Sequence, residues 1–191
     1  MPDRNRPVLD FLATRRSTPP KLLTAPAPDR AELTELLTLA ARVPDHGMLT
    51  PWRFLVLDAA ALRHLGAEIA RIGAAEGLES ERVAKAGAIY ATSPLAVAVI
   101  CAPKASEKAP EIEQSLSAGA VCLELLHAAH AAGWSAGWVT GWAAHDRRFL
   151  PALLDLAETE SIAGLIHIGT GPIPADRPRP DVAALTSWRR E

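Results

Sequence analysis

The sequence predicts an α+β or α/β domain built on one central sheet. Three observations lead there. Segments with a helical apolar period outnumber strand-like runs, the strand-like runs are short, and they alternate with the helices. The 191 residues suit a single domain, 1–191, that ends in a long tail. The hydrophobic fraction of 49% supplies a core, and a chain of this size buries roughly 70% of its unfolded surface.

The elements follow in order. "PVLDFLAT" (7–14) reads as a short amphipathic helix with Pro7 in its first turn. Residues 15–28, "RRSTPPKLLTAPAP", hold four prolines, which remove donors and impose extended backbone. Asp29 is a good N-cap with Glu32 at the capping-box position, and Leu33, Leu36, Leu37, Ala40 and Ala41 share one face of the helix that follows. Pro44 ends it, and "DHGMLTP" is a loop. "WRFLVL" (52–57) reads as a strand. Asp58 then caps a helix with Leu62, Leu65, Ile69 and Ile72 inward, and another helix begins near Ser80. "PLAVAVIC" (94–101) is a continuous apolar run, so a strand covered on both faces. A polar excursion from Lys104 leads into a long helix, Ile112 to Ala132, apolar nearly all round, with Gly119 inside it and Gly133 past its end. "SIAGLIHIG" (161–169) is a second buried strand. The tail, 170–191, is proline-rich and cannot form a core alone. No repeat of domain scale is present.

Net charge is -2, which argues against a general nucleic-acid binder, although residues 1–30 carry six Arg or Lys against three Asp. Cys101 and Cys122 lie too far apart for a CxxC motif and read as buried thiols of a reducing compartment. The N-terminus lacks the apolar stretch of a signal peptide. No run reaches the roughly 18 apolar residues of a spanning helix. The expectation is a soluble, cytoplasmic protein.

"GWSAGWVTGW" (133–142) places three Gly-Trp pairs four residues apart. As a helix it would carry three glycines, each costing about 1 kcal/mol against alanine. As a strand it sets Trp134, Ala136, Trp138, Thr140 and Trp142 on one face, and Gly133, Ser135, Gly137, Val139 and Gly141 on a nearly bare one. Glycine in a strand marks close approach of another backbone or of a ligand. Two readings stand side by side: a strand pressed under a neighbour, and a surface for a flat ligand such as a flavin ring.

Two further stretches carry chemistry. Arg15, Arg16 and Ser17 lie between a helix and extended backbone. Adjacent arginines there point opposite ways, so one can take a phosphate in a bidentate grip while the other reaches elsewhere, with the serine hydroxyl as a further donor. The bland alternative is a solvated basic turn. "ARVPDHGMLTPWRF" (41–54) sets Arg42 at a helix end, where it could simply answer the helix dipole. It then places His46 on a loop before Pro51 and Trp52.

Together these features resemble the nitroreductase family of flavin mononucleotide (FMN) oxidoreductases, most closely its short NAD(P)H nitroreductase branch. The resemblance covers nearly the whole chain. It rests on the N-terminal helix followed by RRS, the A-R-x-P-D-H loop leading to P-W-x-F, the long central helix, the Gly/Trp stretch, and Gly169-Thr170 after the last strand. It implies an α+β fold with a central mixed, mainly antiparallel sheet flanked by helices. It also implies an intertwined homodimer with FMN at the subunit interface.

On that pattern Arg15, Arg16 and Ser17 hold the FMN phosphate and part of the ring, and Arg42 and His46 reach the same flavin from the other chain. Trp138, Val139 and Thr140 run beside the flavin. Arg179, with Arg177, reaches the phosphate, and residues 128–133 match a nicotinamide-contact segment. No protein catalytic acid or base is implied. NAD(P)H reduces the flavin, and a nitroaromatic, quinone or similar acceptor then reoxidises it in a ping-pong cycle, with Arg16 the candidate to stabilise the reduced, anionic ring. A flavin-binding or sequestering protein with little turnover is the alternative. The chain departs from the family's Ser-x-x-Asn-x-Gln pattern, carrying Asp45, Met48 and Thr50 there, and has Pro19 where many relatives have lysine.

Two other chemistries find weak support. His127 and His130, three apart on the long helix, could join His145 or His167 at a metal, but no HExxH occurs, so no metal site is expected. Ser93 is not in a GxSxG elbow.

Overall fold

A computed structural model describes residues 3–189. Four strands form one sheet: β1 (Trp52–Asp58), β2 (Leu95–Cys101), β3 (Ser135–Val139) and β4 (Ser161–Gly169), in the order β1-β2-β4-β3. All three pairings are antiparallel. The apolar runs thus find the covering on both faces that their composition demands, in a sheet whose hydrogen-bond pattern is antiparallel. Six α-helices among the described residues surround it: α1 (Arg6–Thr14), α2 (Arg30–Ala40), α3 (Ala59–Ala75), α4 (Ser80–Ala91), α5 (Glu111–Ala131) and α6 (Leu150–Leu153).

Alternation along β2 divides the core in two. Leu95, Val97, Val99 and Cys101 point to the layer of α2 and α5, where they meet Leu33, Leu36, Val121 and Leu125. Ala96, Ala98 and Ile100 point to the layer of α3, α4 and α6, where Leu62, Leu65, Ile69 and Tyr90 lie. β4 obeys the same rule until a bulge shifts its register against Val99 and Ile100. Ile166 and Ile168 therefore face α5, while Ile162 joins the other layer.

The helix ends follow the capping logic. Asp29 accepts from the Ala31 and Glu32 amides while Glu32 reaches back to the Asp29 amide, the full capping box. Asp58 accepts from the Ala61 amide at the head of α3. α3 and α4 approach closely because each carries glycine at the crossing: a Cβ at Gly66 would stand 2.9 Å from the Gly87 carbonyl.

Three features differ from expectation. The Gly-Trp strand is only five residues long, because Gly141 turns to φ +78 and Trp142 leaves the sheet to pack edge-on against Phe149 at 4.7 Å. α1 buries none of its residues. The apolar girdle of α5 is covered on one side only, leaving Ile112, Leu116 and Leu123 in solvent. Both cysteines are free and buried. No helix among the described residues is long and apolar enough to cross a membrane.

His167 is fully buried on β4, with Nδ1 2.5 Å from the Ser93 hydroxyl and Nε2 without a partner. Burial pushes its pKa down to about 4. The unfolded chain, with a His pKa near 6.5, therefore binds a proton that the folded chain refuses. The resulting stability is complete above about pH 6.5 and is lost as pH falls toward 4, at most on the order of 2 kcal/mol by about pH 5. Urea unfolding on both sides of this window should show the loss, and His167→Asn should flatten it. Equal acid slopes in the two proteins would reject the assignment.

Candidate functional site

The N-terminal basic turn is carried to the sheet by main-chain bonds. The Arg15 amide closes α1 on the Phe11 carbonyl. Three residues later the Thr18 amide donates to the Ala136 carbonyl of β3 at 2.8 Å. The close approach needs Gly137: a Cβ there would lie 2.2 Å from the Thr18 carbonyl oxygen. Thr24 and Thr170 then exchange amide-to-carbonyl bonds at 2.8 and 2.9 Å. The bare face expected of the Gly-Trp strand thus receives a backbone.

The tail arrives at the same place. Ser135 donates to the Gly171 carbonyl, and the Thr18 hydroxyl donates to the Pro172 carbonyl. Between these segments lies a cavity of about 360 Å³. Arg15, Arg16, Ser17, Trp138, Val139, Arg177 and Arg179 line it, with Thr18, Pro19, Pro20 and Gly137. The Trp138 indole occupies the space where Gly164 has no side chain; a Cβ at Gly164 would meet Nε1 at 2.1 Å. Gly164 in β4 is the sequence signal for this packing.

The cavity is cationic. Four guanidiniums line it and no carboxylate does. Asp176, outside the lining, binds Arg16 at 3.1 Å and approaches Arg179 at 3.6 Å. Arg15 has no such partner among the described residues, and its Nη1 is buried and unbonded, as is Nε of Arg16. Burial, then the charges of Arg179 and Arg16, lower the Arg15 pKa. This arrangement fits a dianionic phosphate. A phosphate relieves the mutual repulsion of the guanidiniums that line the cavity.

The other expected residues lie elsewhere. Thr140 does not line the cavity; its carbonyl turns inward and accepts from the Tyr90 hydroxyl. Arg42 is exposed at the end of α2. His46 sits on the next loop, with Nδ1 2.7 Å from Glu113 Oε2. That loop is anchored to the N-terminal half of α5 by this contact and by Ser117 donating to the Pro44 carbonyl. The basic turn lies beside His130, near the helix's other end. At 1.5 Å per residue, Glu113 and His130 are separated by about 25 Å of helix. Within one chain, Arg42 and His46 cannot share a ligand atom with Arg15. Asp45 is spent on its own loop, accepting from the Leu49 and Thr50 amides, and Met48 is almost fully exposed. Of the segment 128–133, Ala128 and Ala129 are core.

The histidine pair on α5 has other partners. His127 lies 3.6 Å from Glu124 and edge-on to Phe11, and His130 Nδ1 donates to the Leu126 carbonyl at 2.7 Å. No group of three or more potential metal ligands occurs among the described residues.

The model of the Nitroreductase family matches residues 12–170. A Haemophilus influenzae protein named "Putative NAD(P)H nitroreductase" is 33% identical over 170 residues, covering 88% of this chain and 91% of that one. Among solved structures, a nitroreductase-like family protein from Bacillus cereus matches with a TM-score of 0.80 over 96% of each chain, at 18% identity. A "putative nitroreductase in complex with fmn" from Desulfovibrio desulfuricans matches with a TM-score of 0.72 over 97% of this chain and 98% of its own, at 23% identity. At these identities the two structures speak for the fold.

Gly137→Ala should push Thr18 off the strand and disperse the arginines. A loss of about 1–3 kcal/mol in urea unfolding is expected, as for overpacked sites, together with weaker binding of inorganic pyrophosphate in calorimetry. Unchanged stability and binding would show that the turn docks without this contact.

Proposed function

The chain belongs to the nitroreductase family, and we propose that it is an FMN-dependent oxidoreductase. It takes electrons from NAD(P)H and passes them to nitroaromatic, quinone or similar small acceptors in a ping-pong cycle. The observation that carries this reading is the cavity beside β3, lined by four guanidiniums and no carboxylate. The FMN named with the Desulfovibrio desulfuricans relative supports the choice of phosphate ligand.

The residues divide the work by position. Arg15, Ser17, Arg177 and Arg179 hold the phosphate, with Arg15 the principal contact because it is half-buried and no carboxylate answers it. Arg16, anchored by Asp176 at 3.1 Å, keeps a fixed positive charge beside the ring and favours its anionic reduced form. Trp138 and Val139 border the ring, and Thr140 continues that border. FMN itself supplies reversible hydride acceptance and donation. The chain supplies orientation and charge, so no protein acid or base is needed.

The site is completed by a second copy. Val8, Leu9 and Leu12 of α1, and Ile112, Leu116 and Leu123 of α5, are solvent-exposed apolar side chains of the single chain. The α5 residues recur at intervals of four and seven, which puts them on one stripe. A Cβ at Gly119, within that stripe, meets nothing within 4 Å, so the backbone there is open to a neighbouring helix. A stripe of this kind marks a protein interface. In the homodimer, Arg42 and His46 of each chain serve the flavin held by the basic turn of the other.

Purified protein should be yellow, bleach on anaerobic addition of NADH or NADPH, and regain colour with a nitroaromatic or quinone. A colourless protein that cannot be reconstituted with FMN would sink the proposal, and bleaching without reoxidation by any acceptor would point to a flavin-sequestering role. Arg15→Ala should weaken FMN binding about 10- to 100-fold, the usual loss for a charged hydrogen bond; unchanged affinity rejects its phosphate role. Leu116→Glu should produce monomers by analytical ultracentrifugation and release FMN with them. A monomer that keeps its FMN would rule out the two-chain site.

A further inference from the structure

Tyr90 is the single tyrosine of the sequence. It lies on α4, fully buried, its ring tilted against His167 at 6.4 Å. Its hydroxyl donates to the carbonyl of Thr140, the residue that follows β3. Burial pushes its pKa up to about 12, so the hydroxyl keeps its proton and remains a donor at neutral pH.

That bond decides which way one peptide faces. In a trans peptide the C=O and N–H point in opposite directions. With the Thr140 carbonyl turned in toward α4, the Gly141 N–H is turned out, and it meets no acceptor among the described residues. Gly141 has φ +78, and glycine tolerates either sign of φ. A flip of the 140–141 peptide is therefore not forbidden by sterics. It would cost the Tyr90 bond and bury an unsatisfied hydroxyl.

We propose that Tyr90 is a positioning residue for the redox reaction, fixing the Thr140–Gly141 peptide with its N–H toward the cofactor. The proposal rests on the reading that the segment from Trp138 to Thr140 borders FMN. An N–H dipole aimed at a ring that gains negative charge on reduction stabilises the reduced form, and a flipped carbonyl would oppose it. Tyr90 touches neither cofactor nor substrate; it acts through the peptide it holds.

The test is Tyr90→Phe in the FMN-loaded protein. Far-UV circular dichroism and FMN stoichiometry should match wild type. The two-electron reduction equilibrium of the flavin should become about tenfold less favourable, about 30 mV more negative, and flavin reduction by NAD(P)H should slow by a similar factor. A purely structural role would leave the potential of bound FMN unchanged, and that result overturns the proposal.

Because Tyr90 is unique, growth on 3-fluorotyrosine labels only this position and decides the matter without a substitution. The fluorine resonance should shift between oxidised and reduced holoprotein; an unmoved resonance overturns the proposal even if Tyr90→Phe fails to fold. If wild-type protein holds no FMN, the functional reading and this inference fall together. If it holds FMN and the potential of Tyr90→Phe is unmoved, only the role of Tyr90 falls.

Discussion

The approach of Thr18 to Gly137 governs the rest of the site. One amide-to-carbonyl bond joins Thr18 to Ala136, and it forms only because no side chain stands at 137. Everything basic in the cavity depends on it. The two residues that precede Ser17 and Thr18 are Arg15 and Arg16, and Thr18 also holds the carbonyl of Pro172 at the root of the tail that brings Arg177 and Arg179. Four long, mutually repelling cations are collected by backbone contacts at a sheet edge, with Asp176 holding Arg16 and approaching Arg179. Burial first, and then the nearness of Arg179 and Arg16, lowers the pKa of Arg15.

The second constraint is a mismatch between α5 and the layer it covers. The helix is apolar nearly all round, yet a single chain buries one side of it. Its other side carries an exposed stripe, and the loop bearing Arg42 and His46 is tied to the N-terminal half of the helix through Glu113 and Ser117. The basic turn lies near the C-terminal end. Antiparallel apposition of two such helices covers both stripes and brings the N-terminal half of one to the C-terminal half of the other. In the proposed dimer, the interface and the completion of the site are one event.

Polar side chains hold the segments that the apolar core does not specify. Gln114 bonds both the carbonyl and the amide of Lys104 and the carbonyl of Ala109, which pins the polar excursion before α5. Arg147 donates to the carbonyls of Leu156, Ala157 and Glu160, and Arg53 grips both oxygens of Glu160 at 2.6 and 2.7 Å. These bonds order residues 143–160, a stretch without a clear period. Tyr90 does the same for the turn after β3.

The sequence by itself determined the elements whose signal is local. Asp29 and Asp58 cap where a short acceptor precedes a periodic helix. The runs at 95–101 and 161–169 are strands, as short apolar runs rich in β-branched residues favour a buried strand over a buried helix. The glycines of the Gly-Trp stretch were legible too, since a bare strand face admits a close neighbour, and Thr18 takes that place at Gly137. Only the tertiary structure decided where the Gly-Trp strand stops, since pairing with β4 ends at Val139 and Leu165 and Gly141 turns away. It also separated Arg42 and His46 from the arginine cavity and gave Trp138 its bed on Gly164 and Thr140 its partner Tyr90. Those outcomes depend on contacts between residues 26 to 73 positions apart, and periodicity and capping, which act within a few residues, carry no information about them.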